Sequence, residues 1–268
     1  MGVPLSPVTL KVADYGGLIN RVRARICNWK SKFLSFGGRK QLIISVLQSL
    51  QLYWMAIFLF PSAVIHELEA VCRDFLWAQG DSSKGKCRIA WDSVCRPSMS
   101  GGLGIKRLSV WNRALISKHI WDLITHRNSL WVTWISRQYL HSTSLWNIRQ
   151  RYKWSWVFRK ILTLRDHIRR FIKVQIGDGC STNAWEDTWL SVGPLSSIVP
   201  YRYIHAVGFT TDSTVYDFLS MHNGVWPNEW LTRYPHLNSI SLPSLIPNRR
   251  DMICWDVNRN GEFSVREA

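Results

Sequence analysis

Hydrophobic residues recur at helical spacing through most of the first 175 positions. Leu18, Ile19, Val22, Ile26, Trp29 and Phe33 fall at steps of one, three and four, which predicts a helix from about Asp14 to Leu34. Gly16-Gly17 marks its ragged start, because glycine is unfavourable inside a helix. Phe36-Gly-Gly reads as a break, after which Arg39-Lys40 opens a second helix to roughly Leu52. A third follows Pro61: Ser62 can cap it, Val64, Ile65, Leu68, Val71, Cys72, Phe75 and Leu76 form its stripe, and Gly80 ends it. Residues 81–86 read as an exposed loop. Beyond it, Ser109 caps a helix to about Thr125, and Leu130 to Leu140 forms another. Over Ser155–Val174 the apolar stripe is Val157, Ile161, Leu164, Ile168, Phe171 and Ile172. Arg159, Lys160, Arg165, Arg169, Arg170 and Lys173 are left facing outward.

The texture changes near 175–180. Asp178-Gly179 lies between two short extended runs and predicts a hairpin turn. Prolines at 194, 200, 227, 235, 243 and 247 then interrupt the chain, apart from a short helix near Val215–Met221. These patterns predict a mainly α protein. A helical bundle spans 1–80, a helical connector 81–175, and a small irregular α+β part 176–268, with a β-hairpin near 175–187.

Residues 41–65 carry no charge and are long enough to cross a bilayer. Gln41, Gln48 and Gln51 recur on one side of the run, however, and Pro61 divides it. A buried amphipathic helix entering a short apolar strand fits this pattern better than a span, so no membrane contact is expected.

Charge changes the picture more than composition does. Residues 1–180 hold 28 Lys and Arg against 9 Asp and Glu, whereas residues 181–268 hold 6 against 9. Arginine outnumbers lysine 23 to 11, and its planar fork suits bidentate phosphate contacts. A basic front two-thirds is the footprint of a protein that follows a phosphate backbone. Seven cations across the first two helical segments, Arg21, Arg23, Arg25, Lys30, Lys32, Arg39 and Lys40, have only Asp14 nearby to offset them. They are the candidate phosphate contacts. The helix over 155–174 is a second, weaker candidate because Asp166 interrupts its basic face.

Candidate chemistry is sparse. The six cysteines are scattered with no CxxC pair, which reads as reduced, intracellular thiols rather than a disulfide framework or a zinc site. Gly101-Gly-Leu-Gly lacks the third glycine and the preceding strand of a dinucleotide fingerprint, so it reads as a turn. Glu186-Asp187 is the one adjacent acidic pair. It could hold a single ion, but between Trp185 and Trp189 it looks more like a capping or packing element. No catalytic constellation emerges.

A series of short motifs runs the length of the chain. It begins with Gly2-Val-Pro-Leu-Ser, Trp29-Lys, Leu34-Ser-Phe-Gly-Gly-Arg-Lys-Gln-Leu-Ile, Leu59-Phe-Pro, Phe75-Leu-Trp and Ile89-Ala-Trp. It continues with Gly101-Gly-Leu-Gly-Ile, Asn112-Arg-Ala-Leu, Lys118-His-Ile-Trp, Gly177-Asp-Gly and Trp185-Glu-Asp-Thr-Trp. In order and spacing it resembles the region after the polymerase palm in plant LINE-type (non-LTR) retrotransposon reverse transcriptases, which are RNA-directed DNA polymerases. The resemblance implies that residues to about 80 correspond to the thumb, which grips the template–primer duplex, and that residues from about 87 form the connecting region. Gly261-Glu-Phe-Ser-Val would then be the first strand of the family's C-terminal zinc-binding domain.

By the same resemblance, the magnesium-binding Asp-Asp pair would precede Met1 and the zinc ligands would follow Ala268. No cofactor is therefore expected within this chain, and polymerase activity is not expected of it alone. The implied partners are an RNA or RNA–DNA duplex and the palm and fingers domains; the implied location is the nucleus or cytoplasm. Two other readings stand beside this one. The chain could be a retroelement relic without catalytic or specific binding activity, or a protein anchored in a membrane through residues 41–65.

Overall fold

The computed structural model describes residues 2–268 apart from 5, 7, 30–33, 79–88 and 142. Helices dominate, with a single two-stranded antiparallel sheet among the described residues. The chain divides into two compact units, Met1–His119 with Tyr152–Leu162, and Ile120–Arg151 with Thr163–Ala268.

In the first unit, α1 (Gly16–Cys27) follows a 3-10 turn at Val12–Tyr15. Its Leu18, Ile19 and Val22 are buried and face α4 (Ser62–Trp77). The later part of the expected first helix, Lys30 to Phe33, lies outside the described residues, as does Gly80. The second helix starts earlier than its glycines suggested. Ser35 caps α2 (Phe36–Leu42) by accepting the Gly38 N–H at 3.1 Å. Phe36-Gly-Gly is thus a first helical turn rather than a break. A π-turn at Ile43–Leu47 joins α2 to α3 (Gln48–Met55).

The apolar run over 41–65 therefore forms a helix, a corner and the start of α4. Residues 58–61 do not form the expected strand, because their backbone groups bond to a side chain instead. Among the described residues no helix is long and apolar enough to cross a membrane. The corner is held by α6 (Leu108–Ile124), whose Asn112 is fully buried. Asn112 Oδ1 accepts the Phe60 N–H at 2.7 Å, and Nδ2 donates to the carbonyls of Met55 at 2.7 Å and Phe58 at 2.8 Å. His119 Nε2 donates to the Ala56 carbonyl at 2.7 Å. At the start of α6, the Leu108 N–H donates to Glu69 Oε1 at 3.0 Å.

The core around these bonds is aromatic. Tyr15 meets Phe60 edge-on, and Phe58 stacks on Trp156 of α8 (Trp156–Leu162) with centroids 5.4 Å apart. A short helix, α5 (Trp91–Val94), precedes the Gly101-Gly-Leu-Gly segment. That segment is a closed turn, as its sequence indicated. Leu103 N–H donates to Val94 O and Gly104 N–H to Arg96 O. Gly101 and Gly104 have φ of 79° and 69°, and a Cβ at Gly102 would collide with the Arg96 carbonyl.

In the second unit, α7 (Leu130–Ile135) is capped by Ser129 and runs into a π-turn at Ser136–Leu140. The single helix expected over 155–174 is instead α8, α9 (Arg165–Arg169) and a strand, β1 (Ile172–Gln175). Its partner is β2 (Met252–Trp255), with Ile172 opposite Trp255 and Gln175 opposite Met252. The hairpin expected near 175–187 does not form. On its other edge β1 bonds to Thr188 through the Val174 N–H, and the 176–183 turn wraps around Asp251. Residues 261–264 form no strand; the Gly261 carbonyl accepts the Trp255 N–H, and Phe263 packs on Trp121 and Trp255.

The remaining core lies among α10 (Tyr201–Ala206), α11 (Val215–Met221) and α12 (Asn228–Arg233). α11 carries a reciprocal cap: Thr214 Oγ1 accepts the Asp217 N–H, and Asp217 Oδ2 accepts the Thr214 N–H. Phe218 stacks on Trp230 with centroids 5.8 Å apart, and Trp185 meets both rings edge-on.

Replacing Asn112 by Ala strands one N–H and two carbonyls in a dry corner. We expect Asn112→Ala to cost at least about 3 kcal/mol, from about 1–3 kcal/mol for each of the three buried unsatisfied groups. Chemical denaturation followed by circular dichroism would show it as a lowered midpoint.

Candidate nucleic-acid interface

The sequence nominated seven cations, and the structure gives them different surroundings. Arg21, Arg23 and Arg25 are all exposed on α1. Arg21 and Arg25 lie one turn apart with Asn28 a further turn on, so the three share a face. With Ala24 and Leu50 they line an open depression. No acidic residue occurs in α1, α2, the π-turn or α3.

Arg23 sits differently. Its Nη2 pairs with Glu67 Oε1 of α4 at 2.7 Å, tying α1 to α4 across the surface. Arg39 is half-buried, and its guanidinium donates to the Ala78 carbonyl at the C-terminal end of α4. A cation there meets carbonyls that have no partner within the helix and the negative end of the helix dipole. Lys40 is half-buried on α2. Lys30 and Lys32 lie outside the described residues. The arrangement therefore brings Arg21 and Arg25 together as an open cationic pair and uses Arg23 and Arg39 to hold helices.

The second basic stretch divides similarly. Arg165 Nη1 donates to the carbonyls of Leu145 and Ile148, both at 2.9 Å. Arg169 pairs with the buried Glu186 at 2.9 Å and lies over the Trp146 ring.

Glu186 and Asp187 are committed to the fold, as a packing and capping pair. Glu186 accepts from Arg169 and from the Tyr201 hydroxyl. Burial, followed by that bond to Glu186, pushes the Tyr201 hydroxyl up to about 12. Asp187 Oδ2 accepts the Asn183 N–H at 2.8 Å, and Oδ1 accepts from Trp146 Nε1 at 3.0 Å. Burial nonetheless holds the Asp187 carboxyl above its ordinary range, outweighing those bonds. Among the described residues, no three His, Cys, Asp or Glu side chains converge to hold a metal ion. Burial pushes the thiols of Cys72 and Cys95 up to about 12, which keeps them protonated at neutral pH.

Asp251 had no signal in the sequence, because its donors lie some 70 residues away. Its Oδ1 accepts the Gly177 N–H at 2.7 Å and the Gly179 N–H at 2.9 Å. Its Oδ2 accepts from Thr182 Oγ1 at 2.7 Å and from the hydroxyl and N–H of Ser181 at 2.9 and 3.2 Å. Burial alone would raise this carboxyl; the bonds from Gly177, Thr182, Gly179 and Ser181 outweigh it and hold it below its ordinary value.

The chain is thus a mainly helical protein with an acid-free basic helix on one unit, and with Glu186, Asp187 and Asp251 committed to internal bonds on the other. It is similar to an Arabidopsis thaliana protein named "Putative ribonuclease H protein", with 31% identity over 276 residues, covering 99% of this chain and 44% of that protein. It is also similar to an Arabidopsis thaliana "Uncharacterized mitochondrial protein", with 25% identity over 143 residues, covering 53% of this chain and 93% of that one. The chain spans less than half the length of the first of these relatives. No protein-family model and no solved structure matches it.

Two outcomes follow from this division of charges. Arg39→Ala should lower stability by about 1 kcal/mol through the lost carbonyl bond. Arg21→Ala and Arg25→Ala should leave the melting temperature within about 1 °C of wild type, since surface changes of this kind stay within about 0.5 kcal/mol.

Asp251→Asn should destabilise by about 2–3 kcal/mol at pH 7, because a neutral amide cannot accept every donor the carboxylate does. The folded pKa of Asp251 is depressed, so its contribution is present above the ordinary carboxylate value of 3.8 and is lost as pH falls through the folded value. Melts of wild type and variant should therefore converge in acid below pH 3.8.

Proposed function

We propose that this chain is the thumb and connecting region of a LINE-type retrotransposon reverse transcriptase. In this reading it grips an RNA or RNA–DNA duplex through phosphate contacts from the basic face of its first two helices. The observation that carries the reading is the acid-free face of α1, where Arg21 and Arg25 stand exposed one turn apart beside Asn28. Guanidinium groups at that spacing are free to reach successive phosphates, and backbone contacts of this kind bind without regard to sequence. Lys40 contributes from α2, and Lys30 and Lys32 extend the same stretch of sequence. Arg23 and Arg39 act mainly by positioning the helices, given their bonds to Glu67 and Ala78.

The order of motifs along the chain supports the polymerase assignment. The name of the longer relative, "Putative ribonuclease H protein", supports a role on nucleic acid. In this reading magnesium and zinc chemistry belong to other segments of the parent polymerase, and the chain itself contributes grip rather than catalysis.

The test is anisotropy of a labelled RNA–DNA duplex titrated with protein at several salt concentrations. Each phosphate contact contributes about 0.9 to the magnitude of the slope of log K against log salt. Substituting Arg21, Arg25 and Lys40 together by Ala should flatten the slope by about 2–3 and weaken binding at low salt, whereas Arg23→Ala should flatten it by less than 1. An unchanged slope and affinity in the triple variant would make these residues an ordinary solvated face.

A further inference from the structure

Tyr152 is 91% exposed, at the start of the segment that returns to the first unit. The aromatic rings that follow it are not. Trp156 and Phe158 are buried, Trp154 packs on Phe158 and Trp156 stacks on Phe58. The segment thus turns three of its aromatic rings to the interior and leaves the first outside. The Arg159 guanidinium lies over the Tyr152 ring, 5.6 Å from its centroid. It steadies one face of the ring by a cation–π contact.

The charge along the sequence flanking Tyr152 is one-sided. Between Asp122 and Asp166 the sequence holds eight Lys and Arg and not one Asp or Glu. Within 149–160 alone are Arg149, Arg151, Lys153, Arg159 and Lys160. Lys153, next to Tyr152, is exposed. An isolated exposed aromatic needs no explanation. One with a guanidinium on its ring, an exposed lysine beside it and no carboxylate for more than a dozen residues on either side has the composition of a single-strand nucleic-acid contact. There, bases stack on an aromatic ring and cations follow the backbone.

We propose that Tyr152 is a stacking platform for an unpaired base of single-stranded RNA or DNA, with Lys153 contacting the adjoining phosphate and Arg159 holding the ring. This deepens the proposed function and rests on it: a duplex-gripping protein would also hold the unpaired strand that continues from the duplex. The contact is sequence-tolerant, because every base offers a π face.

The experiment uses the full chain and two labelled probes, a 12-nucleotide single-stranded RNA and the RNA–DNA duplex. Tyr152→Ala should weaken single-strand binding about 5- to 140-fold, the range that alanine substitution of a stacking residue gives. It should leave the salt slope unchanged, since no phosphate contact is lost, and leave the melting temperature unchanged. Tyr152→Trp should keep or improve affinity. Lys153→Ala should instead flatten the single-strand slope by about 0.7.

Equal single-strand affinity for wild type and Tyr152→Ala, with duplex binding still dependent on Arg21 and Arg25, would overturn this proposal and leave the duplex reading standing. A wild-type chain that binds neither probe would overturn both. Loss of binding in Tyr152→Ala accompanied by an equal loss in Tyr152→Trp would assign the tyrosine a hydroxyl contact and overturn stacking.

Discussion

Asn112 is the constraint on which the first unit depends. The chain must turn sharply between α3 and α4, and a turn at that depth leaves the Phe60 N–H and the carbonyls of Met55 and Phe58 without helical partners. Water cannot reach them, so a side chain that both donates and accepts has to. A carboxamide does this in one residue; a carboxylate would repel the two carbonyls, and an aliphatic side chain would leave all three groups bare. With the corner satisfied, the uncharged run over 41–65 folds back on itself, and its apolar residues meet Tyr15, Leu68 and Trp156 in one core. His119 and Glu69 complete the junction at either end of the same stretch of α6. Burial holds the Glu69 carboxyl above its ordinary range, despite the Leu108 N–H that it accepts. The junction thus carries a desolvation penalty in return for ordering the start of α6.

The second unit meets the same difficulty with carboxylates. Its connections are long and proline-rich, and regular ladders satisfy few of their backbone groups. Asp251 gathers the N–H groups of a glycine-containing turn, and Asp187 closes the Asn183 turn beneath Trp146. Glu186 balances Arg169 inside the unit. A close approach makes the first of these possible, since a Cβ at Gly177 would collide with the Arg249 carbonyl. The acidic bias of residues 181–268 therefore reflects internal bonding as much as surface charge, so net charge alone misdescribes the field this segment presents.

Periodicity made the helices of the first unit legible, and the short helix expected near Val215–Met221 forms at those bounds as α11. Three features were not legible for a common reason. The corner at 56–61, the β1–β2 pairing and the Asp251 turn all join residues some 50 to 80 positions apart, whereas sequence patterns report on neighbours. Ile172 and Val174 continue a helical stripe as well as a strand does. Only the presence of β2 decides between them, and their β-branched side chains then suit the strand. Phe36-Gly-Gly misled because glycine reads as a breaker; at a helix start the Ser35 cap outweighs its entropic penalty. The basic residues were legible as a set, but not their separation into outward and structural groups, because the partners Glu67 and Ala78 lie on another helix.

That separation decides how the molecule meets a polyanion. A guanidinium paired at 2.7 Å, as in Arg23 and Glu67, is nearly neutral when seen from beyond the Debye length of about 10 Å at 0.1 M salt. The outward field of α1 comes from Arg21 and Arg25, with no acid on the helix to cancel it. Residues 1–180, with 28 cations against 9 anions, must also fold against their own repulsion. A bound phosphate backbone would remove part of that repulsion, so affinity and stability are linked: whatever binds the folded form strengthens it by mass action. Cations such as Arg39 that bond to the protein's own carbonyls stabilise the fold without an anion. Those on the open face contribute their full effect only when one is present.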